Sequence, residues 1–284
     1  ETPYVVKILS KVEFFLKYNI VRPVISFVLW KVNPNKETCF LDYNGKPLKE
    51  GISFCVPAYN EEHTISLCFS SLIGFVQEII FIDNGSSDNT LKIVQEFQKN
   101  YEKQIKVIIL EMPEATLVEM RQEALKYVKY KWIIRGDADM LFRVKAKEII
   151  LEKIKNVSRP TAFQIRKIEL FGTASNYHKL FGKFSKGEFF LRTFDPSIEY
   201  IEYYGRLEHA PLPIYCKMTK IKEYSFYHLD CYKENERIIY RTCYLDWREA
   251  VNKKKNILFK DYKKSWLEHN FKSSNSSLVN FRIS

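Results

Sequence analysis

The sequence lacks the patterns that mark several protein classes. Its six cysteines form no Cys-x-x-Cys pair, which argues against a zinc ribbon and a thioredoxin-type redox site. The longest apolar run, Val24 to Trp30, is about one third of the length that a membrane-spanning helix needs. There is no internal repeat and no low-complexity segment. These absences favour an ordinary globular protein whose thiols are free, as is typical of a reduced, cytoplasmic compartment.

The composition is globular, with a marked excess of positive charge. Of 284 residues, 46% are hydrophobic and 28% are charged, which suffices for one large core with flanking elements. The formal net charge of +11 favours anionic partners such as nucleotide phosphates, anionic lipids or nucleic acid. Lys-rich faces that contact only water explain the charge equally well. Charge alone therefore decides no function.

Strands and helices alternate between Gly51 and Phe142. Short apolar runs predict four strands, at 52–56, 78–82, 105–110 and 132–134. Apolar residues at helical spacing predict helices between them, at 65–73, 91–97 and 115–128, the second capped by Asp88. Continuously apolar strands joined by helices are typical of a mostly parallel sheet covered on both faces. The predicted fold class is therefore α/β.

The pattern is weaker outside this region. It predicts a basic helix at 145–155, strands at 162–170 and 188–194, and C-terminal helices at 234–247 and 256–269. We expect three parts: an N-terminal extension (1–50), a central domain with a mixed second half (51–233) and a C-terminal helical region with a tail (234–284). The first thirty residues mix Lys with apolar residues at near-helical spacing. They fit either a helix packed on the domain or one lying on a membrane surface.

Polar loops follow three of the predicted strands, namely Pro57 to Glu62, Asp83 to Ser86 and Asp137 to Asp139. The carboxyl ends of parallel strands meet at one edge of a sheet, where open α/β sheets bind ligands. The carboxylates of Asp137 and Asp139 repel each other unless a cation lies between them or each has its own donors. Oxygen ligands of this kind suit Mg²⁺ or Mn²⁺, which substrate phosphates often complete.

Together the three loops resemble glycosyltransferase family 2, whose members have a GT-A fold. The motifs Val56-Pro57-Ala58-Tyr59-Asn60-Glu61-Glu62, Ile82-Asp83-Asn84-Gly85-Ser86-Ser87-Asp88 and Asp137-Ala138-Asp139 occur in the family's order and spacing. The resemblance implies an inverting transfer of a sugar from a nucleotide-diphosphate donor, usually a UDP-sugar, with Mn²⁺ or Mg²⁺ as cofactor. It also implies a Rossmann-like nucleotide-binding sheet followed by a mixed acceptor-side region.

The resemblance assigns the nucleoside to the first two loops. The first would line the nucleoside with Pro57, Ala58, Tyr59 and Glu61. Asp83, in the second loop, would form a hydrogen bond with the base, usually uracil.

The resemblance assigns the diphosphate and the metal to later residues. Arg121 would contact the nucleotide or its phosphates. Asp137, followed by Ala138, would approach the ribose directly or through the metal. Asp139 would ligate the metal, and His228 in Tyr227-His228-Leu229-Asp230 would ligate it or reach the diphosphate. A packed histidine without a ligand is an equally frequent outcome for such a residue.

An inverting reaction also needs a carboxylate that deprotonates the acceptor hydroxyl. Our candidate is Glu208, whose segment resembles a Gly-x-x-His-Glu pattern of a family subgroup. Here the order differs, because Leu207 precedes Glu208 and His209 follows it. An ordinary loop glutamate is the alternative.

Other functions fit the sequence less well. A sugar-nucleotide nucleotidyltransferase would carry a Gly-rich phosphate loop after the first strand, whereas residues 57–62 contain no Gly. A processive polysaccharide synthase would be expected to carry Gln-x-x-Arg-Trp and membrane spans, and the sequence shows neither. A basic nucleic-acid-binding or adaptor protein would not suit three acidic strand ends, which repel a phosphate backbone. The expected partners are a nucleotide-sugar donor and a glycan, lipid-linked or protein acceptor, with peripheral membrane contact left open.

Overall fold

A computed structural model of the protein describes residues 22–33, 36, 40–155, 157–171, 178–180, 191–203, 207–209 and 211–231. Only the backbone is described at residues 22, 169–171, 178–180, 202–203, 207–209 and 230–231. The predicted helices at 234–247 and 256–269 and the first 21 residues lie outside this part of the chain. The predicted boundaries after residues 50 and 233 stay predictions.

Helices and strands alternate through the first half of the described chain. The helices are α1 (Arg22–Val32), α2 (Ile65–Leu72), α3 (Thr90–Tyr101), α4 (Leu117–Leu125) and α5 (Val144–Ile154). The first strands are β1 (Lys49–Ala58), β2 (Glu78–Asp83), β3 (Lys106–Glu111), β4 (Tyr130–Arg135) and β5 (Met140–Phe142). They are followed by β6 (Thr161–Phe171), β7 (His178–Leu180), β8 (Leu191–Thr193), β9 (Ile201–Tyr203), β10 (Leu207–His209) and β11 (Lys217–Cys231).

The main sheet has the order β3-β2-β1-β4-β8-β6-β11-β5, with β7 paired to β6. Strands β1 to β4 pair in parallel with one another. Beyond β4 the sheet is mixed, because β8 runs antiparallel to β4 and β6, and β11 runs parallel to β6 but antiparallel to β5. The predicted class, an α/β protein with a parallel sheet that continues into a mixed region, is confirmed.

Two core layers cover the faces of the parallel strands. Phe54 and Val56 of β1 pack on one face with Phe69 of α2, whereas Cys55 packs on the other face with Met120 of α4. Alternate residues of a strand point to opposite faces, so a strand buried on both faces is apolar throughout. In the described residues, no helix combines the length and the apolar character that crossing a membrane requires.

Three details differ from the sequence prediction. β1 continues through Pro57 instead of ending before it. The register with β4 ends at Cys55, so the missing N–H of Pro57 removes no hydrogen bond on that side. The N-cap of α3 is Asn89, so the prediction of Asp88 as cap was wrong, although Asp88 Oδ1 accepts a hydrogen bond from Thr90 N (2.9 Å). The 15-residue β11 is not predicted at all.

A buried carboxyl group ties β2 to its neighbours at the end of the sheet opposite the strand-end loops. Glu78 is fully buried, and its Oε1 accepts hydrogen bonds from Ser53 Oγ (2.6 Å) and Lys129 N (2.8 Å). Its Oε2 has no hydrogen-bond partner among the described residues. Burial raises the pKa of Glu78 above its ordinary value, more than these hydrogen bonds and the nearby Lys106 charge lower it.

We expect Glu78→Gln to remove a pH dependence of stability. The raised pKa means that the carboxyl contributes stability below the unfolded-state value of 4.5, and that this contribution is lost as the pH rises through the folded-state pKa. Urea unfolding at several pH values should show the variant gaining stability relative to wild type as the pH rises above that value. Glu50→Gln, at an exposed carboxylate paired with Lys131, is the control. A constant difference between Glu78→Gln and wild type would contradict this account.

Candidate functional site

The three polar loops lie side by side at one edge of the sheet. Strand β1 lies between β2 and β4, and Ala58 at its end is in register with Asp83 at the end of β2. On the other side Cys55 is in register with Arg135, the last residue of β4, and Asp137 follows two residues later. The parallel direction of these strands therefore brings residues that are distant in sequence to one edge.

The second loop is built around the carboxylate of Asp83. This side chain is 2% exposed, and its Oδ2 accepts hydrogen bonds from Gly85 N (3.0 Å) and Ser86 N (2.8 Å). Gly85 has a φ of +77°, a conformation that glycine adopts without steric cost. The other oxygen, Oδ1, is buried without a hydrogen-bond partner in the described chain. Leaving such an acceptor unpaired is costly, so Oδ1 is suited to accept a hydrogen bond from a ligand N–H.

The residues of the first loop have unequal exposure. Pro57 and Ala58 are buried inside β1, whereas Tyr59 is 45% exposed. The Glu61 carboxylate accepts a hydrogen bond from Thr64 Oγ1 (2.7 Å), at the start of α2. Tyr59 is therefore the residue of this set that offers a large surface to a ligand. The predicted nucleoside contacts of all four residues stay predictions.

The Asp137-Ala138-Asp139 segment is a tight turn that leads from β4 into β5. Met140 N donates a hydrogen bond to Asp137 O (3.2 Å). Ala138 is 4% exposed and packs into the core, so its side chain faces away from the solvent edge. Asp139 is also largely buried, at 6% exposed.

His228 reaches this turn from β11. It lies opposite Met140 in the β5–β11 pair, and Leu229 N donates a hydrogen bond to Asp139 O (2.9 Å). As a result His228 Nε2 lies 3.4 Å from Asp139 Oδ1. Asp137, Asp139 and His228 each offer a ligand atom, and all three atoms lie within 4.8 Å of one another. Two carboxylates and an imidazole so arranged fit a divalent cation such as Mn²⁺ or Mg²⁺.

Arg121 supports this turn from beneath. The side chain is 1% exposed on α4, and its guanidinium donates to Cys55 O (3.0 Å), Gly136 O and Asp137 Oδ1 (2.5 Å). The planar, multi-donor guanidinium can serve three acceptors at once. Arg121 thus joins the ends of β1 and β4 and fixes one Asp137 oxygen, while its predicted contact with a nucleotide stays a prediction.

The charges around Asp137 keep it ionised. Burial alone would raise its pKa, but the positive charges of Arg121 and Arg135, the neighbouring His228 and the hydrogen bond from Arg121 outweigh burial and lower the pKa to about 2. Asp137 is therefore a carboxylate at any physiological pH. This charged form is the one that ligates a metal.

Sequence reasoning missed two contributors to this turn. Arg135 adds positive charge beside Asp137. Gly136 leaves room for a core ring, because a Cβ at this position would lie 2.2 Å from Phe54 Cζ. The sequence feature that indicates this close packing is a glycine between a buried strand and the Asp-x-Asp triplet.

Glu208, the predicted base, lies on β10. This strand pairs with β9, and Glu208 is opposite Glu202. The side chain of Glu208 lies outside the described part of the structure, so its role stays a prediction.

A protein-family model and curated relatives match the part of the chain that contains these loops. The model described as Glycosyl transferase family 2 matches residues 53–205, more than half of the chain. A poly-beta-1,6-N-acetyl-D-glucosamine synthase of Staphylococcus epidermidis is 35% identical over 109 residues, which are 37% of this chain and 26% of that protein.

Two further relatives match over similar lengths. An uncharacterised protein of Methanocaldococcus jannaschii is 34% identical over 128 residues, 43% of this chain and 56% of that protein. The poly(ribitol-phosphate) beta-glucosyltransferase of Bacillus spizizenii is 33% identical over 99 residues, 31% of this chain and 14% of that protein. The chain thus matches less than two thirds of the length of each of these relatives. The crystal structure of S. aureus TarS residues 1–349 with UDP-GlcNAc superposes with a TM-score of 0.44 at 16% identity, covering 79% of this chain and 73% of that one.

Replacing Arg121 with lysine should destabilise the fold even though the charge is kept. One ammonium group cannot serve all three acceptors, so the buried carbonyl oxygens of Cys55 and Gly136 lose their charged donor. We expect the free energy of unfolding to fall by about 1–3 kcal/mol. Urea unfolding measures this loss.

The matched control is Arg166→Lys, at a partly exposed guanidinium that donates to Lys222 O and Tyr224 Oη (2.9 Å each) and lies 4.1 Å from the Tyr224 ring centroid. These acceptors are less buried than the carbonyl oxygens that Arg121 serves, so the loss should be smaller, below about 1 kcal/mol. Equal losses of unfolding free energy in the two variants would contradict a stabilising role for the three contacts of Arg121.

Proposed function

The chain belongs to glycosyl transferase family 2, and we propose that it transfers a sugar from a nucleotide-diphosphate donor, a UDP-sugar, to a hydroxyl acceptor. The observation that carries this proposal is the grouping of Asp137, Asp139 and His228 at the edge where Asp83 also lies. Two relatives are named for a polymer of N-acetylglucosamine and for glucosyl transfer, which supports a hexose as the transferred group.

Asp83 and Tyr59 would bind the nucleoside. The unpaired, buried Oδ1 of Asp83 suits the N3–H donor of uracil. The exposed ring of Tyr59 follows Ala58, which is in register with Asp83, and could pack on the base. The acceptor oxygen of Asp83 would orient the base through a hydrogen bond, and the Tyr59 ring would add contact area with the face of the base.

Asp139 and His228 would hold a Mn²⁺ or Mg²⁺, with Asp137 completing the protein ligands or approaching the ribose. Such an ion supplies Lewis-acid stabilisation of the negative charge that builds on the departing diphosphate. Arg121 keeps Asp137 oriented and ionised throughout. Glu208 would remove the proton from the acceptor hydroxyl on the face opposite the leaving group, which gives inversion at the anomeric carbon.

The alternative to a metal ion is that protein groups balance the negative charges of Asp137 and Asp139. Asp137 already has Arg121 as its donor, and Asp139 lies beside His228. The two carboxylates could therefore be balanced by protein groups alone, with Arg135 adding further positive charge. Donor binding measured with and without the cation separates the two arrangements.

We expect Mn²⁺ to strengthen UDP binding through Asp139. Isothermal titration calorimetry of the full chain with UDP should show tighter binding with Mn²⁺ than with EDTA. Asp139→Asn keeps the shape of the side chain but removes its negative charge and leaves one neutral amide oxygen as a ligand. It should lower the Mn²⁺-dependent affinity at least about tenfold.

Glu208→Gln is the matched variant, because it alters the proposed base and leaves the donor site intact. It should bind UDP with Mn²⁺ as wild type does, while transfer to an acceptor is lost. Equal UDP binding by wild type and Asp139→Asn would refute the metal role, and unchanged turnover of Glu208→Gln would exclude it as the base. Measuring UDP release from a panel of UDP-sugars without acceptor identifies the sugar.

The exposed face of α1 supports peripheral membrane contact as part of this proposal. One side of the helix is fixed to the domain, since Ser26 is buried and the Trp30 ring lies 6.3 Å from Tyr215. The other side presents apolar residues to solvent: Val24 (61% exposed), Phe27 (52%), Val28 (53%) and Val32 (69%). Exposed apolar residues grouped on one face of a helix are typical of an interaction surface.

Cations next to this face indicate the chemistry of its partner. Lys31 Nζ and the Arg159 guanidinium lie 5.5 and 5.7 Å from the Phe27 ring centroid. Residues 22–36 contain no Asp or Glu. An apolar face bordered by cations complements an anionic lipid surface, into which aromatic and aliphatic side chains insert while Lys and Arg contact the headgroups.

We expect Val24→Asp with Val28→Asp to abolish binding to vesicles that contain phosphatidylserine. Two charges on the inserting face should weaken co-sedimentation at least about tenfold, since each buried valine contributes about 1.5 kcal/mol. Val144→Asp, at a 70% exposed valine on α5, is the control and should bind as wild type. Failure of the wild-type protein to co-sediment would contradict membrane contact. So would a dimer in light scattering that the double variant disrupts, because a second copy would then cover the face.

A further inference from the structure

Asn60 lies between the two loops that would bind the nucleoside, and it has an unusual backbone. Its φ is +55°, in the left-handed region that non-glycine residues seldom adopt. Asparagine is among the few residues that tolerate this conformation, because its short polar side chain can form hydrogen bonds nearby. The conformation turns the Asn60 side chain toward the loop that follows β2.

The Asn60 amide is bonded to that loop at several points. Oδ1 accepts hydrogen bonds from Ser87 N (2.8 Å) and Asp88 N (3.4 Å), and Nδ2 donates to Ser87 Oγ (3.3 Å). The backbone N–H of Asn60 donates to Ser86 Oγ (2.9 Å). Side chain and backbone together thus hold three consecutive residues of the neighbouring loop.

These bonds connect the two groups that would contact the base. Ser86 donates its N–H to Asp83 Oδ2 (2.8 Å) and accepts the N–H of Asn60 through its hydroxyl. Asn60 is the residue after Tyr59. A continuous path therefore runs from the Asp83 carboxylate through Ser86 and Asn60 to Tyr59. The bond from Asn84 N to Ala58 O (2.9 Å) joins the two strand ends, and the bonds of Asn60 join the loops beyond them, on the side of Tyr59.

We propose that Asn60 is a positioning residue for the donor, which holds the loop of Tyr59 and the loop of Asp83 at the spacing that a nucleoside base requires. The inference rests on the proposed binding of a UDP-sugar. Without the hydrogen bonds of Asn60 the two loops would adopt other spacings. The affinity for UDP would then fall in proportion to the fraction of molecules that keep the binding-competent spacing. Chemistry at the sugar is not altered, since Asn60 touches no residue of the metal turn in the contacts described above.

Asn60→Gly and Asn60→Asp separate backbone from hydrogen bonds. Glycine adopts a φ of +55° readily but lacks the amide, whereas aspartate keeps the acceptor oxygen and the tolerance for this φ. With UDP and Mn²⁺ in calorimetry, we expect Asn60→Gly to bind about tenfold more weakly and Asn60→Asp to bind within about threefold of wild type. In turnover with the donor, Asn60→Gly should raise KM by a similar factor and leave kcat unchanged.

Ser86→Ala provides a second route to the same link. It removes the acceptor for Asn60 N and keeps the Ser86 N–H that donates to Asp83. It should weaken UDP binding, as Asn60→Gly does. If Asn60→Gly fails to fold, Ser86→Ala alone tests the positioning role. Wild-type UDP affinity in Asn60→Gly, or in Ser86→Ala, would overturn the positioning role and leave the proposed function standing. Absence of UDP binding by the wild-type protein would overturn both.

Discussion

The contact between the Arg121 guanidinium and the Asp137 carboxylate governs the arrangement of this edge of the sheet. Two carboxylates one residue apart at a strand end, one buried and one partly exposed, repel each other unless positive charge compensates them. Arg121 supplies that charge from α4 and at the same time bonds the carbonyl oxygens of Cys55 and Gly136. The guanidinium therefore sets the orientation of Asp137 and the spacing between the ends of β1 and β4. The metal turn begins from that fixed point.

The topology explains why residues from so many segments meet here. Three parallel strands end at the same edge, which brings the loops after Ala58, Asp83 and Arg135 together. The turn between β4 and β5 is only four residues long, so β5 begins close to the end of β4 although the two strands do not pair. Because β11 pairs with β5, it carries His228 back to Asp139. The mixed half of the sheet thus completes a site that the parallel half begins.

The loops differ in how much of their structure is local. Asp83 bonds the N–H groups of the next residues in its own turn, so a short motif suffices to predict it. Asn60 bonds residues 87 and 88, far along the chain, and its motif shows only that a polar residue stands there. The residues around Asp88 predict it as the cap of α3, whereas the helix begins after Asn89. The start of a helix also depends on distant contacts, such as the hydrogen bond from Asn89 N to the Glu62 carboxylate.

The sequence by itself determined the alternation of strands and helices, the class of the sheet and the three strand-end motifs, because hydrophobic periodicity and turn chemistry act over a few residues. It also predicted Asp139 and His228 as possible metal ligands, through resemblance. Only the tertiary structure decided that Arg121 lies buried against Asp137, that β11 returns His228 to the turn and that Asn60 joins two loops. Those contacts join residues that are distant along the chain, and no local pattern encodes the distance between two such side chains.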